Sequence, residues 1–422
     1  MVLLPRNKAV IPVFILTCFI ATAQRIAIGG IDFDLLRLMI LTGWARVFWR
    51  GEFFTFRWKL IDVAMVTWCV LGSIAYITLH SDLLELNQMG TSTGTRSAFI
   101  YRAGITLDAL GLYFLYRVLI RSWEDLDRLI MAVLVIAIPL SAAFVVESMT
   151  GRNLFAMFGG VPEMTKVRGG RLRCQGAFTH PIIAGVFFAT ILPMVVARYF
   201  NPRANRALIV AGGAAFMLII FACFGTFMFL FRHYLGFFRW TLIFGACFLH
   251  LIMEKPVWHL IARINFLGGT GWHRYNLINQ AILRWDEWFW LGTKGTAHWG
   301  WGLSDVTNQY VFEAVNGGIF QLGSFLWILA LCFQGLGRMW RANADNLPRL
   351  AMSWALGVAL FAHCMSFISV SYFGQAKVVW YLQLALVATF APVPHLVFRR
   401  AYSPKLRTKQ VDPYLVYQPS AK

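Results

Sequence analysis

The sequence predicts an all-α integral membrane protein of about 12 spans, and three observations carry that reading. Hydrophobic residues make up 59% of the 422 and charged residues only 14%, more apolar surface than a soluble core can use. The apolar residues gather in blocks of about 20, the length at which a helix seals its own backbone hydrogen bonds across a bilayer. Lys and Arg collect between the blocks, as they do in cytoplasmic loops.

The blocks lie near 9–27, 32–48, 60–80, 99–120, 128–146, 181–198, 206–254, 311–336, 349–373 and 378–398. Arg6 and Lys8 before the first block, with Ala21-Thr22-Ala23 behind it, imitate a cleavable signal peptide. We read an uncleaved first span instead. Basic patches stand at Arg46/Arg50/Arg57/Lys59, Arg117/Arg121/Arg128, Arg198/Arg203/Arg206, Arg338/Arg341/Arg349 and Arg399/Arg400/Lys405/Arg407/Lys409. Holding all of them inside places both termini inside and makes the span count even. The block 206–254 is then cut into three, near Gly225 and Arg239, with Arg232 and His233 in the middle piece. A cut into two would instead turn the segment 254–307 to the cytoplasm. The three-piece cut gives one polytopic domain, 1–400, with outward loops at 147–180 and 254–310 and a basic cytoplasmic tail at 401–422.

Those two loops are where chemistry is expected. The first carries Arg152, Lys166, Arg168, Arg171 and Arg173 against Glu147 and Glu163. Membrane insertion does not explain a basic loop on the translocated side, whereas an anionic ligand at the membrane surface does. The second is rich in Gly and in Trp (Trp258, Trp272, Trp285, Trp288, Trp290, Trp299, Trp301). It reads as a folded cap whose indoles suit an interface or a sugar-stacking surface. The net charge of +19 would raise nucleic acid as a partner of a soluble protein. Here the cytoplasmic loops account for it, and no nucleic acid is expected. The seven cysteines, Cys18, Cys69, Cys174, Cys223, Cys247, Cys332 and Cys364, lie almost all in apolar blocks without metal spacing, so neither a disulfide framework nor a structural zinc is indicated.

Three short motifs carry a resemblance. Residues 173–185 read R-x-x-G-x-F-x-H-P-x-x-x-G where a polar segment opens a span. Thr307-Asn308-Gln309-Tyr310-Val311 is followed by Gly317-Gly318-Ile319 and an apolar helix, and Trp272-His273-Arg274-Tyr275 lies between the two. In this order and spacing they resemble the O-antigen ligase/O-antigen polymerase superfamily over about residues 170–335. The resemblance implies a GT-C-like, metal-independent membrane glycosyltransferase with a large helical periplasmic loop and no cofactor. Its donor would be an undecaprenyl-diphosphate-linked glycan and its acceptor a second glycan, in a bacterial inner (cytoplasmic) membrane with the active site facing the periplasm. Chain-length or export subunits of a polysaccharide system would be its protein partners, besides the lipid bilayer itself.

The resemblance puts Arg173 and Arg274 on the family's diphosphate-holding arginines. The chemistry agrees independently: a guanidinium fork binds phosphate oxygens bidentately and stays charged. Fixed positive charge also favours a departing diphosphate. The plainer readings are a snorkelling flank residue for Arg173 and a surface arginine for Arg274. Arg171, His180, Asn308 and Tyr310 join them as substrate-binding candidates. His180-Pro181 also suits a helix start, Pro being tolerated in the first turn.

One position departs from the family. Thr307 stands where the ligases have the His expected to act as base, and Thr cannot do that work. His298 and Asp305 are the replacement catalytic candidates, with Glu313 a third; each has a plain reading as an ordinary polar residue. Thr307 tilts the expectation toward an exopolysaccharide or O-antigen polymerase rather than a ligase to lipid A core. A transporter or flippase and a non-catalytic export subunit are the rivals from other classes. His363 and Asp108 fall inside predicted spans, where ionisable groups are costly; both are read as structural. Asp32-Phe33-Asp34 sits at the turn where metal-dependent GT-C enzymes hold a divalent ion. Helix capping explains the pair as well, and no metal is expected.

Overall fold

A computed structural model of the chain describes residues 1–28, 31–80, 93–168, 171–202, 204–216 and 271–392. The proposed cut points within 206–254, the indole of Trp258 and the tail at 401–422 lie outside them. Among the described residues, six helices are long and apolar enough to cross a membrane, so the protein is a mostly helical, multi-pass membrane protein.

The chain opens with α1 (Ile11–Phe19), a nine-residue helix that rises only about 14 Å. The block 9–27 is thus half helix: Gln24 donates to the Ala21 carbonyl in a turn, and the hairpin β1 (Arg25–Ile28) and β2 (Ile31–Asp34) follows. Asp34 then caps α2 (Leu35–Trp49) by accepting the Arg37 amide. The spans α3 (Leu60–His80), α6 (Trp123–Thr150) and α7 (Pro181–Arg198) match the sequence blocks 60–80, 128–146 and 181–198. Between α3 and α6, α4 (Thr93–Thr106) and α5 (Leu112–Leu119) join through a π-turn at Leu107–Gly111. After α7 come α8 (Arg206–Phe216), then α9 (Gly271–Leu283) and α10 (Trp285–Trp288), then α11 (Gln309–Ala342), α12 (Leu347–Phe367) and α13 (Ala376–Phe390).

Polar bonds separate the two ends of the bundle. At one end, the basic residues sit on carboxylates and on the last carbonyls of helices. Arg6 reaches Asp125 and the Leu119 carbonyl, Arg198 reaches Asp127, and Arg338 the Pro392 carbonyl. Lys59 donates to the carbonyls of Thr389 and Ala391, where a cation also meets the negative end of the α13 dipole. Arg117 makes two 2.9 Å bonds to Asp62, whose Oδ1 also takes the Tyr113 hydroxyl. Such a pairing keeps a buried charge tolerable. The opposite end gathers the starts of α7, α11 and α13 and the finish of α12.

Candidate functional site

The end opposite the basic patches is assembled by three devices. The first holds the basic segment. The hairpin β3 (Lys166–Arg168) and β4 (Arg171–Arg173) pairs Lys166 with Arg173, and buried Glu147 at the foot of α6 fastens its flanks. Glu147 takes the Thr165 hydroxyl at 3.1 Å and the amides of Gln175 and Gly176 at 3.0 and 2.9 Å. Its charge is satisfied by donors, so it stiffens the loop beneath Arg173. The chain then enters α7 through His180, whose Nδ1 accepts the Ile182 amide, with Pro181 in the first turn.

The second device is the loop between α12 and α13, which sequence reading passed over. Buried Gln375 accepts from the Thr179 amide and hydroxyl and donates to the Ala177 carbonyl. A few residues earlier, Ile368 accepts from the Asn308 side-chain amide, and the Tyr372 amide donates to Gln309. One loop therefore clamps both the 173–185 motif and the 307–311 motif.

The third device is the cap. α9 lays Leu277 and Ala281 against Trp299 and Leu303 and onto Val311 and Val315 of α11, a small core separate from the main one. Arg274 lies one turn before Leu277 and is half-buried. The cap is keyed into a break in α11 at Gly317-Gly318, where Gly318 has φ +66°. The Ile319 amide donates to the Phe289 carbonyl at 2.7 Å, and the Thr293 amide to Val315 at 2.8 Å. The loop 289–293 thus supplies bonds the broken helix lacks. A Cβ on Gly318 would collide with the Trp290 carbonyl, and one on Gly292 with that of Val315.

Within the cap His298 has a partner. Glu287 holds its Nε2 at 2.7 Å, accepts the Trp299 indole N–H at 2.8 Å, and gives its other oxygen to Arg284 at 2.9 Å. The Trp299 bond first, then those of His298 and Arg284, holds the Glu287 carboxyl down at about 2. An ionised Glu287 makes His298 Nε2 the donor and leaves Nδ1 as acceptor. Carboxylate and imidazole in this relation form the orienting half of a general-base arrangement. Nothing periodic in the sequence pairs positions 287 and 298.

The remaining candidates divide clearly. Asp305 is exposed, and its carbonyl takes the Thr307 amide. The Thr307 hydroxyl is buried with no hydrogen-bond partner among the described residues. Asn308 caps α11 by accepting the Val311 amide, and the Tyr310 hydroxyl donates to the Cys364 carbonyl; both side chains are structural anchors. The Arg171 side chain and that of Asp32 lie outside the described part of the molecule. Glu313 is buried and takes bonds from Trp68, Gln309 and Gln321, which removes it as a base with access to substrate. Asp108, at the π-turn, is paired by Arg37 and Lys377, and His363 by the Tyr372 hydroxyl. Compared with protein-family models and with curated proteins, the chain matches none.

Proposed function

We propose that the chain is a metal-independent membrane glycosyltransferase that moves a lipid-diphosphate-linked glycan onto an acceptor glycan. The observation that carries this reading is the clamp at Ile368 and Gln375, which gathers the Arg173 segment and the cap-bearing start of α11 at one end of the bundle. In this reading Arg173 and Arg274 hold the diphosphate from two sides. The acceptor hydroxyl gives its proton to His298 Nδ1 while its oxygen bonds to the anomeric carbon. The bond from that carbon to phosphate breaks, and its electron pair leaves with the lipid diphosphate, where guanidinium charge counts most. Glu287 steadies the imidazolium so formed. Polymer growth, an undecaprenyl carrier and a periplasmic site belong to the same proposal.

Purified protein given lipid-diphosphate oligosaccharide should then release lipid diphosphate and lengthen the glycan. Arg173→Ala and Arg274→Ala should abolish both at normal protein level. Arg→Lys should also be impaired, because a point charge does not replace the fork. Normal product from either alanine variant removes that arginine from the site.

One observation favours a second reading, a transporter or flippase for the same lipid-linked material. A span broken at Gly317-Gly318, with buried Glu313 beside the break, is the kind of discontinuous helix that transporters build sites around. Protein that moves the labelled lipid between leaflets while leaving glycan length unchanged would establish it.

A further inference from the structure

The flank of the bundle formed by α3 and α4 carries a feature that the transfer reading does not use. Two overlapping cavities of about 400 and 470 Å³ share Ser73, Ile77, Thr106 and Leu110. Together they make a groove along both helices. Val70 faces Leu110 at one end of it, Ser73 meets Thr106 in the middle with their hydroxyls 3.4 Å apart, and Ile77 lies with Arg102 at the end nearer the cap. Both walls belong to helices long and apolar enough to cross a membrane. Val70, Ile74 and Phe99 on the walls are exposed. The two hydroxyls satisfy each other, so the floor presents hydrocarbon to whatever lies in the groove.

Arg102 does not fit a purely apolar surface. It is 5% exposed, its Nε has no acceptor among the described residues, and its Nη2 reaches Gln321 at 3.5 Å, a marginal distance. The guanidinium passes over α3 only because residue 72 is glycine; a Cβ there would strike it. The guanidinium carbon also lies 5.3 Å from the Tyr76 ring centroid, which offers a π face but no oxygen to Nε, and a cation buried beside lipid with so few acceptors is costly. An anion arriving from the groove would complete it.

We propose that this groove binds an anionic phospholipid of the bilayer, with one acyl chain along Val70, Ser73, Ile77 and Leu110 and the phosphate on Arg102. The chain fills the apolar channel and the phosphate supplies the acceptor that Arg102 lacks. Because Gln321 also donates to Glu313, the lipid touches the same network that steadies α11 beside its break. The site stands independently of glycan transfer.

The test uses full-length protein in nanodiscs of dioleoyl-phosphatidylcholine containing a minor share of dioleoyl-phosphatidylglycerol. Native mass spectrometry after release counts the lipids retained. The wild type should keep phosphatidylglycerol in preference to phosphatidylcholine. Arg102→Gln should reduce that preference roughly tenfold, the size of one charge-assisted hydrogen bond. Ala103→Trp, on the exposed rim of the groove and next to Arg102 in the chain, should lower retention of both lipids by filling the groove. Unchanged preference in Arg102→Gln, or unchanged retention in Ala103→Trp, overturns the proposal. Should Arg102→Gln fail to fold, the Ala103→Trp result decides alone.

Discussion

Two arginines on one helical rod, Arg117 in α5 and Arg102 in α4, are both nearly buried, at 8% and 5% exposure, yet their surroundings differ sharply. Arg117 meets Asp62 through two nitrogens and adds the Arg57 carbonyl and the Thr389 hydroxyl. Arg102 meets one amide oxygen at 3.5 Å and the face of the Tyr76 ring. The first is a brace that ties α3, α5 and α13 together where the basic patches lie. The second is a charge held ready, with its carboxylate neighbour Glu313 already bonded to Trp68, Gln309 and Gln321. The sequence puts Arg117 in a basic patch and leaves Arg102 unmarked within the block 99–120; the acceptor set around each separates structure from binding.

The sharpest way to break this comparison is to remove the acceptor. Asp62→Ala should leave the Arg117 charge buried without its partner and cost about 3–5 kcal/mol. Arg102→Gln should cost about 1 kcal/mol, because the new amide can still bond Gln321. Unfolding in detergent, followed by far-ultraviolet circular dichroism, would compare the two. Equal losses would mean that Arg102 is a brace as well.

A second contrast lies between the smooth spans and the broken one. Gly318→Ala must place a Cβ at φ +66° and against the Trp290 carbonyl. A strained backbone of that kind costs about 1–3 kcal/mol, and relief requires the loop 289–293 to leave α11. Limited proteolysis should then cut the cap faster in this variant, whereas Gly323→Ala, where a Cβ meets open space, should cut as the wild type does. Equal cutting would show that the break is not what holds the cap.

These contrasts mark what could be read from the residues. Leu60–His80 and Pro181–Arg198 coincide with apolar blocks because an unbroken hydrophobic run of that length has one stable solution in lipid. His180-Pro181 opens a helix as its chemistry requires. The first block misled because apolar content does not distinguish a helix from the turn at Ala21–Gln24 and the strand after it. The site was legible only in pieces. Gln375 lies 196 residues from Thr179 and Glu287 lies 11 from His298, and neither separation has a helical or strand period. The break at Gly317-Gly318 hid inside one hydrophobic stretch, since hydropathy does not register φ.

The two ends of the clamp allow a smaller test. Asn308 both caps α11 and donates to Ile368. Asn308→Ala should cost about 1–2 kcal/mol. Asn308→Asp should recover the cap but not the Ile368 bond, because a carboxylate has no N–H to give. Thermal unfolding that places the Asp variant between wild type and Ala supports a double role. An Asp variant as unstable as Ala would assign the whole effect to the loop.

The smallest expected effect concerns acid. Glu287 titrates near 2 in the folded cap, below the ordinary value of about 4.3. A depressed carboxyl binds fewer protons folded than unfolded, so its stabilisation is fully present above about 4.3 and is lost as pH falls through about 2. The pair is partly open to solvent, which holds its worth to about 0.5 kcal/mol. Cap loosening, followed by Trp299 fluorescence, should therefore begin below about pH 4 in the wild type and be absent in Glu287→Gln. Loosening as pH rises from 4 would have the wrong sign for a carboxylate held by donors. It would mean that Glu287 is protonated in the folded cap and cannot steady a charged His298.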